Sequence, residues 1–188
     1  MALFVERATT AAEKIYLSIV AATPGVKSLK PILYPYDTEG STRYADFDTT
    51  RPVYTTDPEK CHISHVVADT DSWEQKLAQS LESMTEVRAY FKNHHVGFTI
   101  PYVLNGEQHN YTPDFVARVA TPSGELNLVL EVSGQDRAEK AAKVATARTL
   151  WAPAVNNHGG FGHWAIFEVR DPWNAKTELR EFLKELEA

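Results

Sequence analysis

The spacing of hydrophobic positions along the chain changes several times, and each change predicts an element. Trp73, Leu77, Leu81, Met84, Val87 and Phe91 recur every three to four residues, which predicts an amphipathic helix. Asp71 to Glu74, or Ser72 to Gln75, forms a capping box at its start. Val96 to Leu104 follows as a strand, and Asn105-Gly106 is a favoured hairpin turn. Two further strands, around Asp114 and Glu131, flank Thr121-Pro122-Ser123-Gly124. There Pro, Ser and Gly stand at the second, third and fourth places of a type I turn. Asp136 to Leu150 reads as a helix packing through Ala138, Ala141, Ala142 and Ala145. Trp164 to Val169 is a short apolar strand, and Asp171-Pro172 opens a terminal helix through Leu186. The order helix, three strands, helix, strand, helix predicts an α/β fold with a mixed central sheet flanked by helices.

Residues 1–70 have a different character. Thr9 to Ala22 is Ala-rich, places Ile15, Ile19 and Ala22 on one helical face, and stops at Thr23-Pro24-Gly25. A segment rich in Pro and Tyr follows, from Pro31 to Tyr54, and reads as short strands and loops. We read 1–70 as an N-terminal extension, packing on the core or joining it to an upstream region, and 71–188 as the core.

Composition narrows the class. The chain has 188 residues, is 43% hydrophobic and 23% charged, and so is long enough to bury a sizeable core. No apolar run approaches the ~18 residues a membrane helix requires, and Met1 to Thr10 is too polar for a signal peptide. Cys61 is the single cysteine, which excludes an internal disulfide and suits the cytoplasm. The net charge of −6 argues against strong stand-alone binding to a DNA backbone, though not against a catalytic domain delivered to DNA. No Gly-x-x-x-x-Gly-Lys-Ser/Thr loop is present, so no P-loop ATPase is expected within these residues.

The chemistry concentrates in the hairpin. A turn centred between Pro122 and Ser123 makes Asp114 and Glu131 cross-strand partners, with Cβ atoms about 5 Å apart. Like charges at that spacing repel unless a proton or cation lies between them. A divalent metal with hard oxygen ligands, Mg²⁺, is the expected cation. Alternation along the second strand puts Leu126, Leu128, Leu130 and Val132 on one face and Asn127, Val129, Glu131 and Ser133 on the other.

Pro113-Asp114 followed by Glu131-Val132-Ser133 resembles the signature of the PD-(D/E)XK nucleases, with Ser133 where that family carries lysine. A longer series is also similar to the C-terminal endonuclease region of type III restriction enzymes, in the helicase-carrying restriction subunit. It includes Tyr34-Pro-Tyr-Asp-Thr-Glu-Gly-Ser-Thr42, Cys61-His62, Val66-Val-Ala-Asp-Thr-Asp-Ser-Trp-Glu74, Tyr90-Phe-Lys-Asn93, Gly97-Phe-Thr-Ile-Pro-Tyr102, Tyr111-Thr-Pro-Asp-Phe115, Leu128-Val-Leu-Glu-Val-Ser-Gly134, Trp151-Ala-Pro-Ala-Val-Asn156 and Phe161-Gly-His-Trp164. The resemblance spans roughly residues 30–172 and implies a restriction-endonuclease-like core. It further implies an Mg²⁺-dependent DNA endonuclease, with Mn²⁺ able to substitute. The expected partners are DNA, an ATP-dependent translocase region and a DNA methyltransferase subunit. The missing P-loop then suggests an excised or separately encoded domain.

On this reading Asp114 and Glu131 ligate Mg²⁺, and Glu74 is the candidate third carboxylate, although a Glu at that place also serves a capping box. Glu82 is an alternative on the same helix. Ser133 cannot supply the cation of the motif lysine; Lys140 and Lys143 on the following helix are the candidates to send an ammonium back, against the commoner role of either one as a solvated helix lysine, and Gln135 is a candidate to orient water. The competing reading is a catalytically degenerate module for DNA binding or complex assembly. Cys61-His62-Ile-Ser-His65 has too little cysteine for a structural zinc site and is expected to be a structural strand. His94-His95 is expected at a helix end, where a cation is favourable. His109 is a candidate phosphate contact, and Asn156, Asn157 and Gly159-Gly160 are candidate lining residues.

Overall fold

A computed structural model describes residues 40–67, 73–104, 107–132 and 138–187. The Thr9 to Ala22 helix, the capping-box residues Asp71 and Ser72, the Asn105-Gly106 turn, and Ser133, Gly134 and Gln135 lie outside the described residues.

The first described elements are a short 3-10 helix, Thr42–Tyr44, and an antiparallel pair, β1 (Val53–Thr55) and β2 (His65–Val67). Helix α1 spans Trp73–Glu82 and is followed by β3 (Val87–Lys92). The hairpin β4 (Ile100–Leu104) and β5 (Glu107–Tyr111) forms a two-stranded sheet of its own. Then come β6 (Phe115–Thr121), β7 (Gly124–Val132), α2 (Ala138–Thr146), a π-helical turn (Ala147–Trp151), α3 (Ala152–His158), β8 (His163–Val169) and α4 (Ala175–Glu187).

The central sheet has the order β3-β6-β7-β8. Its first two pairings are antiparallel and β7–β8 is parallel, so the protein is α/β with a mixed central sheet. Residues of β7 alternate between two apolar layers. Leu128, Leu130 and Val132 pack with Leu77, Ala78 and Leu81 of α1 and with Leu179 and Leu183 of α4. Val129 points the other way, among Ile100, Tyr111, Val144, Ala147 and Ile166. Helices therefore cover both faces, and each fully buried leucine contributes about 2 kcal/mol. Cys61, Ile63 and Val66, from the β1–β2 layer, join the α1 side of this core.

Three expectations are corrected. The helix predicted from Trp73 through Phe91 ends at Glu82, and the residues after it turn and return as β3, an edge strand of the central sheet. The strand predicted over Val96 to Leu104 is regular only from Ile100, and it pairs with β5 instead of the central sheet. The helix predicted over Asp136 to Leu150 runs on through a π turn. There the Ala152 N–H donates to Ala147 O, five residues back. Pro153, next in line, has no N–H to continue the α pattern. Among the described residues no helix is long and apolar enough to cross a membrane.

Candidate functional site

The predicted turn sets the register of β6 and β7. Thr121 pairs with Gly124, and the ladder runs unbroken to Phe115 opposite Leu130. Asp114, one residue before β6, reaches the end of β7 through the Val132 N–H, where β7 runs parallel to β8. Asp114 is fixed from three directions. Its Oδ2 accepts the Val132 N–H at 2.8 Å, and its Oδ1 lies 3.3 Å from Lys92 Nζ. Its carbonyl accepts the Asn93 N–H at 2.8 Å.

Asn93 is the frame behind Asp114. Buried at the end of β3, it donates Nδ2–H to Pro113 O at 3.0 Å and to Phe98 O at 2.7 Å, and it accepts the Phe98 N–H at 3.2 Å. These bonds hold the Pro113-Asp114 main chain, so the carboxylate leaves the sheet in one direction.

Glu131 is 3% exposed and projects from the same face as Val129. Its Oε2 accepts the Tyr111 hydroxyl at 2.7 Å, and its Oε1 lies 3.5 Å from Lys143 Nζ. Burial pushes the Tyr111 phenol far above its ordinary range, and the charges of Glu131, Asp114 and Glu168 push it the same way. Tyr111 is thus a fixed donor to Glu131. Both lysines also lie over rings: Lys92 Nζ is 5.3 Å from the Phe115 centroid, and Lys143 Nζ is 4.8 Å from that of Tyr111. A ring face replaces part of the hydration an ammonium loses. In the parallel pair, Glu168 stands opposite Glu131 and lies 3.7 Å from Arg170 Nη2.

No family model, no curated protein and no solved structure matches this chain. The reading of the site therefore rests on its own geometry.

Of the residues singled out from sequence, Glu131 and Lys143 pair, and Asp114 is bonded to the Val132 N–H next to Glu131. Ser133 lies outside the described residues, and the Lys140 side chain does so too, although its backbone belongs to α2. Glu74 is buried in the first turn of α1, the helix that packs on the Leu128 face. Among the described residues no three of His, Cys, Asp and Glu are grouped to hold a metal ion. Glu82 is engaged elsewhere: its oxygens accept the Tyr54 hydroxyl, the Asp57 N–H at 2.7 Å and the Tyr90 hydroxyl at 2.7 Å.

Cys61 is buried with its thiol toward Ile63 O, and the β2 strand begins at His65, beyond most of the motif. His94 and His95 do not end a helix; they follow β3 in a bend, His95 has φ 57°, and Phe47 packs edge-on against His94. His109, exposed on β5, packs beside Tyr102. Asn156 brackets Trp164, donating to its carbonyl at 3.0 Å and accepting its N–H at 2.8 Å, which is a structural role. Gly159 caps α3 in the left-handed conformation.

Lys92, Asn93 and Tyr111 stand in the family-like series, but the sequence assigns them no role. A lysine in a strand next to a Pro-Asp hairpin is a usable signal, but only once β3 is recognised as a strand.

Asp114 and Glu131 are the residues that could hold a divalent ion, and each of their four carboxylate oxygens already has a protein partner. Asp114 and Glu131 offer hard carboxylate oxygens from adjacent strands. Mg²⁺ is usually held by one or two carboxylates, keeping several waters and taking substrate phosphate oxygens, so a third protein carboxylate is not required.

Proposed function

We propose that this chain is a metal-dependent DNA endonuclease domain of the type III restriction kind, built on a PD-(D/E)XK core. The observation that carries the reading is that Asp114, ion-paired with Lys92 and bonded to the Val132 N–H, stands beside the end of β7 where Glu131 is ion-paired with Lys143. Bound there, Mg²⁺ would polarise the scissile phosphate and lower the pKa of the attacking water. Asp114 and Glu131 would hold the ion, Tyr111 and the Val132 N–H keeping their carboxylates in place. Lys143, on the helix after Glu131, would supply the positive charge that Ser133 lacks and place it near a phosphate oxygen. The water oxygen would bond to phosphorus as the 3′ oxygen departs, leaving a 5′ phosphate.

Nicking of supercoiled plasmid with Mg²⁺ or Mn²⁺ tests this. Asp114→Ala and Glu131→Ala should each abolish metal-dependent cleavage, and cleavage retained by folded mutant protein removes the assignment.

A second reading, a degenerate module for DNA binding or assembly, draws on Ser133 and on the ion-paired state of both carboxylates. A large gain of cleavage in Ser133→Lys would favour it, because the native site would then be shown to lack its cation. An unchanged rate would leave Lys143 in that role.

A further inference from the structure

Tyr111, Glu131 and Lys143 meet pairwise. The Tyr111 hydroxyl donates to Glu131 Oε2 at 2.7 Å, and Lys143 Nζ lies 3.5 Å from Glu131 Oε1. The same Nζ stands over the Tyr111 ring, 4.8 Å from its centre. Tyr111 is therefore shared: its oxygen serves the carboxylate and its ring face serves the ammonium. Packing fixes the backbone beneath both contacts. Tyr111 ends β5 opposite Ile100, and Val144, next to Lys143 on α2, is buried in the layer that holds Tyr111 and Ile100. Lys143 is the outermost of the three. Its side chain is 23% exposed and that of Glu131 4%, while Tyr111 is buried, so Lys143 is the member that a ligand from solvent can reach.

We propose that Tyr111 is the positioning residue for Lys143: its ring fixes the ammonium that meets the phosphodiester, so that one side chain aligns both a metal ligand and the cation beside it. The inference rests on the reading of Asp114 and Glu131 as the metal site. A lysine stem is flexible, and on a solvated helix face its charge is spread over many rotamers. Stabilising a phosphate as charge develops on it requires the opposite, a charge already in place. A ring face attracts an ammonium through its quadrupole but carries no net charge, so it holds Lys143 without neutralising it. The two contacts of Tyr111 act on different steps. The hydroxyl orients Glu131, a ligand, and so governs how tightly metal is held. The ring orients Lys143, which faces phosphate, and so governs the rate once metal is bound.

The test is metal-dependent nicking of supercoiled plasmid, followed against Mg²⁺ concentration. The native chain is compared with Tyr111→Phe, Tyr111→Leu, Lys143→Met, the double variant Tyr111→Leu/Lys143→Met, and Asp114→Ala. Tyr111→Phe keeps the ring and loses the hydroxyl. It should need about tenfold more Mg²⁺ for half-maximal rate, a loss that raising Mg²⁺ makes good. Tyr111→Leu loses both contacts, and at saturating Mg²⁺ its rate should fall about tenfold, to that of Lys143→Met. The double variant should be no slower than Lys143→Met, because the ring acts through the lysine; a merely structural tyrosine would give losses that add. If Tyr111→Leu does not fold by thermal melt, NMR of the native chain and Tyr111→Phe carries the test. In both, the Lys143 methylene next to Nζ should be shifted upfield by the ring beneath it, and an ordinary shift overturns the proposal. Full rate in Lys143→Met or in folded Tyr111→Leu, losses that add in the double variant, or a Tyr111→Phe loss that Mg²⁺ does not make good overturns this inference alone. Absence of metal-dependent nicking by the native chain, or nicking that Asp114→Ala retains, overturns the metal-site reading and this inference with it.

Discussion

Lys92 Nζ lies 3.3 Å from Asp114 Oδ1, and the two side chains are 5% and 26% exposed. The pair joins an edge strand to the hairpin that carries both candidate ligands. Removing one member of a buried ion pair costs about 3–5 kcal/mol, because the other is left uncompensated. Asp114 keeps some contact with water, so Lys92→Met should cost less, about 1–3 kcal/mol.

A double-mutant cycle separates the pair from simple packing. Asp114→Asn in the Lys92→Met background should recover part of the loss, since it removes the stranded charge. Denaturant unfolding of the four proteins measures the coupling. Strict additivity would mean that the ion pair contributes nothing beyond its two side chains.

Asn93→Ala should be more damaging than its polar character suggests. The side chain makes three hydrogen bonds to main-chain groups of Pro113 and Phe98. Leaving those groups without partners should cost about 2–4 kcal/mol in thermal or chemical unfolding. Asn93→Asp should not rescue, because a carboxylate cannot donate to Pro113 O and Phe98 O.

The hairpin was legible because its register is set locally. Thr121-Pro122-Ser123-Gly124 and the alternation of β7 set a register that predicts Asp114 opposite Glu131, and the ladder keeps that register as far as Phe115 opposite Leu130. Lys143 was legible only as one of two candidates: it lies in the last turn of α2, and its ion pair with Glu131 separates it from a solvated helix lysine. The edge strand β3 was not. Its pairing with β6 shifts by one residue between Val87 and Ala89, a bulge, so buried Val87 and Tyr90 stand three residues apart. A strand interrupted in this way imitates helical spacing, and the apolar stripe of α1 runs into it without a break. Lys92 and Asn93, which lie on and just after β3, were lost with it, and His94 was assigned to the end of a helix that stops at Glu82. Tyr111, like Lys92 and Asn93, enters the sequence reading only as part of the family-like series. Its bond to Glu131 depends on the β4–β5 hairpin folding outside the central sheet, which no local pattern reveals.

Acid should weaken the tie between α4 and the turn before β3. Arg180 donates Nε–H to Glu86 Oε1 at 2.7 Å and Nη2–H to Oε2 at 3.2 Å. The Arg180 hydrogen bonds hold the Glu86 carboxyl down to about 2. A depressed carboxylate stabilises the fold above its unfolded value, about 4.5, and that contribution fades as pH falls toward 2. Melting temperature measured from pH 7 to pH 3 should therefore fall more steeply in the native protein than in Arg180→Gln. Equal slopes would show that this pair does not contribute.

Alkali should act at Glu82, which receives the hydroxyls of both Tyr54 and Tyr90 and so binds the β1–β2 layer to α1 and β3. Burial, and then the Glu82 carboxylate, push the Tyr54 phenol up to about 12, and Tyr90 is raised further for the same reasons. A phenol with a raised folded-state pKa keeps its proton where the unfolded chain, titrating near 10, would release it. Its contribution to stability is whole below pH 10 and is lost as pH rises through about 12. Near-ultraviolet titration of the phenolates should accordingly show at least two of the eight tyrosines silent near pH 10.5 and ionising only in the alkaline unfolding transition. Glu82→Gln keeps an acceptor but removes the charge. In that variant Tyr54, the less buried of the two, should ionise earlier while Tyr90 stays protonated. If Tyr54 titrates at the same pH in both proteins, burial alone accounts for its shift and Glu82 acts only through geometry.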